Sequence, residues 1–471
     1  MVVQRLVARL RWFIAAAVVL GIVAVVAWWM LGKPCDRYGD AVWPGTVEIH
    51  AKLRVGTARD ATLAQSGLHI EPLFTQLSAT TVDDRARWIR IVATTTRTGD
   101  DVVRDVMKDP NIEQAFVAPE ITLAHPGPLG HEHGPRNGGG HGLNRLTPSN
   151  DAERCPVTTP SFESYQGYLG AAPDGIDAPA AWQQGYRGAG VWFADIEGGW
   201  NAEHEDLPGD RMTHVGGTEI RDPMWSAHGT AVLGQVVGRD NGKGVVGIAP
   251  DVERVFTSSI GGTSVADAID VAASRLRPGD VLLIELQGLG PRNRYVPVEY
   301  WDDVYDAIRA ATSRGVVVIE AAGNGNANLD NAAYDRKFDR NHRDSGAIMV
   351  GAGAPPREGF RDRERLEFSN YGARVDVQGW GRKVATLAYG DLQSCSGTER
   401  HYTGEFSGTS SASPIVAGAA VILEGIARSR GSVLTPAQLR DLLRATGTPQ
   451  AGDTSQPIGP RPDLARAIQA L

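Results

Sequence analysis

From about residue 166 to the C-terminus, short runs of apolar, often β-branched residues alternate with segments of helical spacing, and this alternation narrows the fold more than any other feature. The runs 191–195, 281–286, 316–320 and 347–350 are almost continuously apolar, so strands built from them need cover on both faces. Helical patterns at 264–274, 301–313, 412–429 and Pro436–Thr446 supply that cover. The last begins with Thr435 and Gln438 spaced as a capping box and Pro436 at the first helical position. Strand and helix alternating in this way specify an α/β fold whose mainly parallel sheet is flanked by helices.

Ahead of this region the pattern differs. Residues 46–124 read as a small α+β unit: Val47, Ile49, Ala51, Leu53 and Val55 alternate as a half-buried strand, 88–93 and 112–117 are further strands, and 101–108 has helical spacing that Pro110 ends. Residues 125–165 form a linker rich in Gly, Pro and His. Its histidines, His125, His131, His133 and His141, lack a fixed scaffold and are assigned no metal. The catalytic region is expected at 166–471.

The N-terminus sets the topology. Residues 1–11, with Arg5, Arg9 and Arg11, precede an uncharged run at 12–32, about 21 residues or roughly 31 Å as a helix, enough to span a bilayer. Trp28 and Trp29 suit a membrane interface and favour a retained transmembrane anchor over the alternative, a cleaved signal that leaves a secreted protein. The arginines keep the N-terminus inside and send the rest of this single-pass chain to the extracytoplasmic side. A net charge of −8 over 471 residues, with no long basic block, excludes a nucleic-acid footprint. Three Cys, at 35, 155 and 395, allow at most one disulfide, and their spacing does not choose between the three pairings and free thiols.

Four residues stand out for chemistry. Asp195 ends a strand followed by glycines, which presents its carboxylate at the sheet edge where α/β proteins bind ligands. His228, before Gly229 and Thr230, reads as lying at a helix start. Ser410, in a Gly-Thr-Ser-Ser turn before an apolar helix, sits beside unpaired N–H groups and the positive end of a helix dipole. Asn324 follows a strand and can donate its amide to a developing oxyanion.

Asp, His and Ser in this order resemble the subtilase family. Linked motifs carry the likeness: His204 to Leu207, His228 to Thr230, Gly244 to Pro250, Ala321 to Asn324, Phe368 to Gly372 and Gly408 to Pro414. The resemblance implies a three-layer subtilisin-like fold and a serine endopeptidase acting on protein or peptide substrates through an acyl-enzyme. In it Ser410 is the nucleophile, His228 the base, Asp195 its orienter and Asn324 an oxyanion donor. It further implies that substrate runs beside Leu286, Gln287 and Gly288, with Ala321, Ala322 and Gly323 walling the pocket for the residue before the cut. Residues 46–124 resemble the inhibitory propeptide of such zymogens, which implies self-processing between 125 and 165. No cofactor is required for catalysis; the family pattern places a structural calcium at Asp206 and Asn241, residue types that also form turns.

The chain departs from the pattern at three points. Asp195 is followed by Ile196-Glu197-Gly198 rather than Ser/Thr-Gly, Ala231 replaces a second His, and Ser411 replaces Met. Glu197 places a carboxylate close to Asp195, where it can alter the titration of His228. The alternative from another class is a non-catalytic binding protein on the same scaffold, which would show a lost triad group. An esterase-type α/β-hydrolase is disfavoured by chain order and by the absence of its Gly-x-Ser-x-Gly turn at Ser410.

Overall fold

A computed structural model describes residues 45–57, 68–77, 83–124, 156–357 and 359–471. The run at 12–32, residues 125–155 of the linker expected at 125–165, Cys35 and Cys155 lie outside the described residues.

The α+β unit comprises β1 (Gly45–Leu53), β2 (His69–Pro72), β3 (Trp88–Thr95), α1 (Gly99–Val106) and β4 (Ile112–Val117). Its four strands form one sheet in the order β2-β3-β1-β4, with β1 antiparallel to β4 and β2 to β3. The expected alternation in β1 is present at Ile49, Ala51 and Leu53, which are buried, while Val55 lies beyond the strand and is exposed. After β4 the chain adds a three-residue strand, β5 (Ile121–Leu123).

The remainder is built on seven strands: β6 (Trp192–Glu197), β7 (Met212–Gly216), β8 (Arg254–Ser259), β9 (Val281–Ile284), β12 (Val317–Ala321), β13 (Ile348–Gly353) and β14 (Val377–Trp380). They pair in the order β14-β13-β12-β9-β6-β8-β7, every pair parallel. The run read as one strand at 281–286 breaks after Ile284; Leu286–Gly290 becomes β10, which forms a hairpin with β11 (Arg294–Pro297). A second hairpin, β15 (Val384–Leu387) with β16 (Tyr402–Phe406), completes the strands.

Side-chain alternation along these strands sorts the core into two layers. Phe193, Leu283, Val317 and Ile319 pack on one face with helices α3 (Pro223–Val237) and α6 (Thr409–Ser429), which follow the short α2 (Ala178–Trp182) in helix numbering on this face. Ala194, Ile196, Leu282 and Val318 pack on the other with α4 (Val265–Ala273) and α5 (Asp302–Ser313). The chain closes with α7 (Pro436–Thr446), whose Thr435–Gln438 capping box forms as expected, and α8 (Leu464–Ala470). Among the described residues α6 is the one helix long and apolar enough to cross a membrane, and it is the buried central helix of the three-layer core.

Candidate active site

Alternation along β6 decides which groups meet. Asp195 and Glu197 share the parity of Phe193 and so point to the face of α3 and α6, with Glu197 nearer the carboxyl edge by one strand repeat, about 6.6 Å. His228 lies on α3, which Asp222 caps and Pro223 opens, so it sits inside the helix and not at its start as its glycine-flanked setting suggested. From there His228 Nδ1 meets Glu197 Oε1 at 2.6 Å, both side chains fully buried. The carboxylate on His228 is therefore Glu197, not Asp195. Asp195 stands one repeat too deep in the sheet; its Oδ2 accepts instead from Trp200 Nε1 at 2.7 Å.

Glycine permits this close assembly. A Cβ on Gly198, directly after Glu197, would come within 2.3 Å of the Trp225 ring. Gly408, at φ +106°, turns the chain sharply into α6 and leaves the N–H groups of its first turn for other partners. One of these N–H groups is that of Ser410. Asn324 leaves β12 through Ala321, Ala322 and Gly323, a segment tied down by Asn370, which donates to Ala322 O at 2.6 Å and to Gly323 O through its backbone at 3.0 Å. The Asn324 side-chain oxygen accepts from Thr409 N at 2.9 Å and Thr409 Oγ1 at 3.1 Å. That fixes the amide with its nitrogen turned toward the site. Asn324 Nδ2 and Ser410 Oγ are buried and make no hydrogen bond to another described residue.

Burial governs the charges. It lowers the His228 imidazole to about 3, which keeps it in the neutral form a general base requires. Burial raises Asp195 and Glu285 well above the carboxylate range, and the charge of Glu197 raises both further. Burial also raises Glu197, opposed by the Gly198 N–H. Three buried carboxyls so close together cannot all ionise. Glu197, which meets both the Gly198 N–H and the imidazole, holds the negative charge best.

The site is covered by β5. This strand pairs antiparallel with β10, Leu123 opposite Leu286, Thr122 opposite Gln287 and Ile121 opposite Gly288. Gln287 Nε2 donates to Leu123 O at 2.8 Å, Ala124 N donates to Glu285 O at 3.3 Å, and Ser410 N donates to Ala124 O at 3.2 Å. The three residues read from the sequence as a substrate track thus hold a segment of the chain itself. Sequence reasoning missed Glu197 as the imidazole's partner, although an acid directly before Gly-Gly on the same strand face was a usable signal. It also missed β5, whose Ile-Thr-Leu-Ala run immediately before the linker was the signal.

Asp206 and Asn241 also come together, but not as oxygen ligands. Asn241 donates its Nδ2 to Asp206 Oδ1 at 2.9 Å, and Val245 N donates to Asp206 Oδ2 at 2.9 Å. The Lys243 ammonium lies on neighbouring Glu205 at 2.7 Å. Both carboxylate oxygens face N–H donors, so the pair fits a turn and does not fit a calcium ion. Among the described residues no group of three or more His, Cys, Asp or Glu is arranged to hold a metal. Cys395 is disulfide-bonded, and both other cysteines lie outside the described residues.

A parallel sheet between two helical layers, bearing at its edge a helix-borne Ser, a His on a carboxylate and a fixed amide, defines a serine peptidase of subtilisin-like architecture. The model of the subtilase family matches residues 196–459. Subtilisin DY of Bacillus licheniformis is 31% identical over 279 residues, 58% of this chain and 89% of that protein. Subtilisin Savinase of Lederbergia lenta is 28% identical over 283 residues, again covering 58% and 89%. Among solved structures, fervidolysin of Fervidobacterium pennivorans, a keratinolytic enzyme related to subtilisin, shares the fold with a TM-score of 0.58 at 18% identity, over 92% of this chain and 62% of its own. The chain belongs to the subtilase family and is a serine endopeptidase.

Proposed function

We propose that the protein is a zymogen in which Glu197, His228 and Ser410 form the catalytic triad, residues 46–124 cap the site, and the first bond cut joins Ala124 to His125. One observation carries this reading: the Ala124 carbonyl oxygen lies 3.2 Å from the Ser410 backbone nitrogen, at the end of a strand added to β10 as an extended substrate would be. The carbonyl sits where an oxyanion is to be stabilised.

From that position Ser410 Oγ attacks the Ala124 carbonyl carbon while His228 Nε2 takes the hydroxyl proton. Glu197, on Nδ1, holds the tautomer and balances the imidazolium. The carbonyl π-electrons move onto oxygen, which the Ser410 N–H and the Asn324 amide stabilise. The oxyanion collapses, the C–N bond breaks, and His228 returns its proton to the leaving nitrogen. Water then repeats the sequence on the Ser410 ester, releasing the Ala124 carboxylate and restoring Ser410. Later turnovers act on external proteins or peptides along the same strand. Labelling by a fluorophosphonate tests this reading: wild type is expected to label at Ser410 and to hydrolyse peptides, Ser410→Ala to do neither, and equal behaviour of the two would return the chain to a non-catalytic scaffold.

Replacing Asn324 by alanine is expected to lower kcat by about 10²- to 10³-fold with little change in KM, because its amide bonds only the developing charge. A KM change that accounts for the loss would place Asn324 in ground-state binding instead.

The cap docks on α4 and α5 through charge. His50 Nδ1 meets Asp303 Oδ2 at 2.8 Å and its Nε2 meets Glu48 Oε1 at 3.0 Å, with the Phe116 ring edge-on to it. Lys52 and Trp88 Nε1 both donate to Asp306, at 2.8 and 2.9 Å, and Arg85 pairs with Asp270. Although burial opposes it, the Asp303 and Glu48 carboxylates raise His50 from 6.5 to about 9. The contact is at full strength below pH 6.5 and is lost as pH rises through about 9. In the uncut Ser410→Ala precursor, a second peptidase is expected to trim the cap faster at pH 10 than at pH 7, relative to an unfolded control. Replacing His50 by glutamine should flatten the difference; a wild-type rate that does not move with pH would count against the contact.

Export is supported by the disulfide at Cys395, which requires an oxidising compartment, and by the Arg-flanked run at 12–32. In this topology cutting after Ala124 separates the catalytic part from the anchor if Cys395 pairs with Cys155, whereas a bridge from Cys35 to Cys395 would keep the two parts joined.

A further inference from the structure

The side chain of Gln287 does something that its backbone role does not require. It leaves β10 opposite Thr122 and bridges the gap between β5, whose next residue is Ala124, and the segment that follows β12. At one end Nε2 donates to the Leu123 carbonyl at 2.8 Å, and at the other Oε1 accepts from the Asn324 backbone N–H at 2.8 Å. Gln287 is almost wholly buried and Ala124 is fully buried. The far end of the gap is closed as well. β11 folds back over the segment after β12, so that the Val296 carbonyl carbon would lie 3.4 Å and Gln287 Oε1 3.6 Å from a Cβ on Gly323. Asn370 locks this lid to the wall by donating to Tyr295 O at 2.8 Å and Ala322 O at 2.6 Å. Arg294 adds a bond to Gly325 O at 3.3 Å.

We propose that Gln287, backed by β11, is the specificity-determining residue of this peptidase and restricts it to substrates with a small side chain, alanine in the first instance, immediately before the cut. This rests on the catalytic reading above and adds the substrate class to it. A larger side chain at that point would have to displace an amide hydrogen-bonded at both ends, leaving the Leu123 carbonyl and the Asn324 N–H without their partners. Burying such groups unpaired opposes binding more than loss of apolar contact does. Gln287 also reads the substrate backbone, since its bond to Leu123 O is indifferent to the side chain there. The chain's own cut site, Ile121-Thr122-Leu123-Ala124, is the first sequence that satisfies the restriction.

The test uses the mature enzyme, its Gln287→Gly variant, and peptides of sequence Ile-Thr-Leu-Xaa with Xaa as alanine, leucine or phenylalanine. Wild type is expected to favour alanine over phenylalanine by at least about tenfold in kcat/KM, and Gln287→Gly to reduce or reverse that ratio by at least about tenfold. A precursor pair covers the case in which the variant matures poorly. Ala124→Phe should slow self-cleavage at residue 124 by at least about tenfold, and Gln287→Gly in the same chain should restore it. Equal cleavage after alanine and phenylalanine by wild type, or a ratio unmoved by Gln287→Gly with no rescue of Ala124→Phe, would overturn the proposal. If wild type neither cut any peptide nor bound a fluorophosphonate, the catalytic reading would fall and this inference with it. A labelled but unselective enzyme would sink the inference alone.

Discussion

Removing the carboxylate of Glu197 is expected to cost about 10⁴-fold in kcat, the scale on which loss of the triad acid acts in subtilisin, whereas Asp195→Asn should cost less than about tenfold. The contrast follows from which group touches the imidazole. Glu197 Oε1 stands 2.6 Å from His228 Nδ1; without it the ring is free to take the wrong tautomer, and the imidazolium formed on attack has no counter-charge inside the core. Burial and the Glu197 charge raise Asp195 well above the usual carboxylate range, and its side-chain hydrogen bond is the one it accepts from Trp200. Asparagine preserves that acceptor and adds no charge. The measurement is the rate at which freshly folded precursor disappears, with peptide turnover for whatever matures. An inactive Asp195→Asn beside a working Glu197→Ala would return the acid role to Asp195.

Ser410→Ala should carry the largest loss, about 10⁶-fold in turnover, since no other hydroxyl replaces the nucleophile. Its fold should not suffer. Ser410 Oγ makes no hydrogen bond to another described residue, and alanine fits the same helical first turn of α6. The melting temperature is therefore expected to stay within about 2 °C of an inhibited, uncut wild-type precursor, since 1 kcal/mol shifts even a domain of 150–250 residues by about 2–4 °C. A collapse in melting temperature would mean that the serine holds the helix start together rather than attacking substrate.

The scaffold was legible wherever local pattern and tertiary setting agree. The apolar runs around Val318 and Val350 became central strands because only such residues tolerate cover on both faces, and Thr435 with Gln438 marked α7 to the residue. Hairpins built on Gln287-Gly-Leu-Gly and on Tyr402-Thr-Gly-Glu-Phe left no periodicity to read, since their order comes from pairing partners distant in sequence. Ser410 and Asn324 stood out as candidates because each follows a glycine turn. His228 was placed one turn too early because the Asp222–Pro223 helix start went unread. Which acid meets the imidazole was not legible because Asp195 and Glu197 share a strand face, and two candidates one repeat apart look alike until the position of a third residue, His228, is known. Asp206 and Asn241 suggested calcium by residue type alone; the orientation of the amide, which composition does not encode, pairs the two with each other.

The most direct measurement is the intact mass and N-terminal sequence of the protein recovered from wild type beside Ser410→Ala. Wild type is expected to yield a catalytic chain beginning at His125, with Ser410→Ala remaining uncut through that bond. A mature chain starting elsewhere would contradict the placement of Ala124 against Ser410, and cleavage after Ala124 in Ser410→Ala would contradict self-processing by this site.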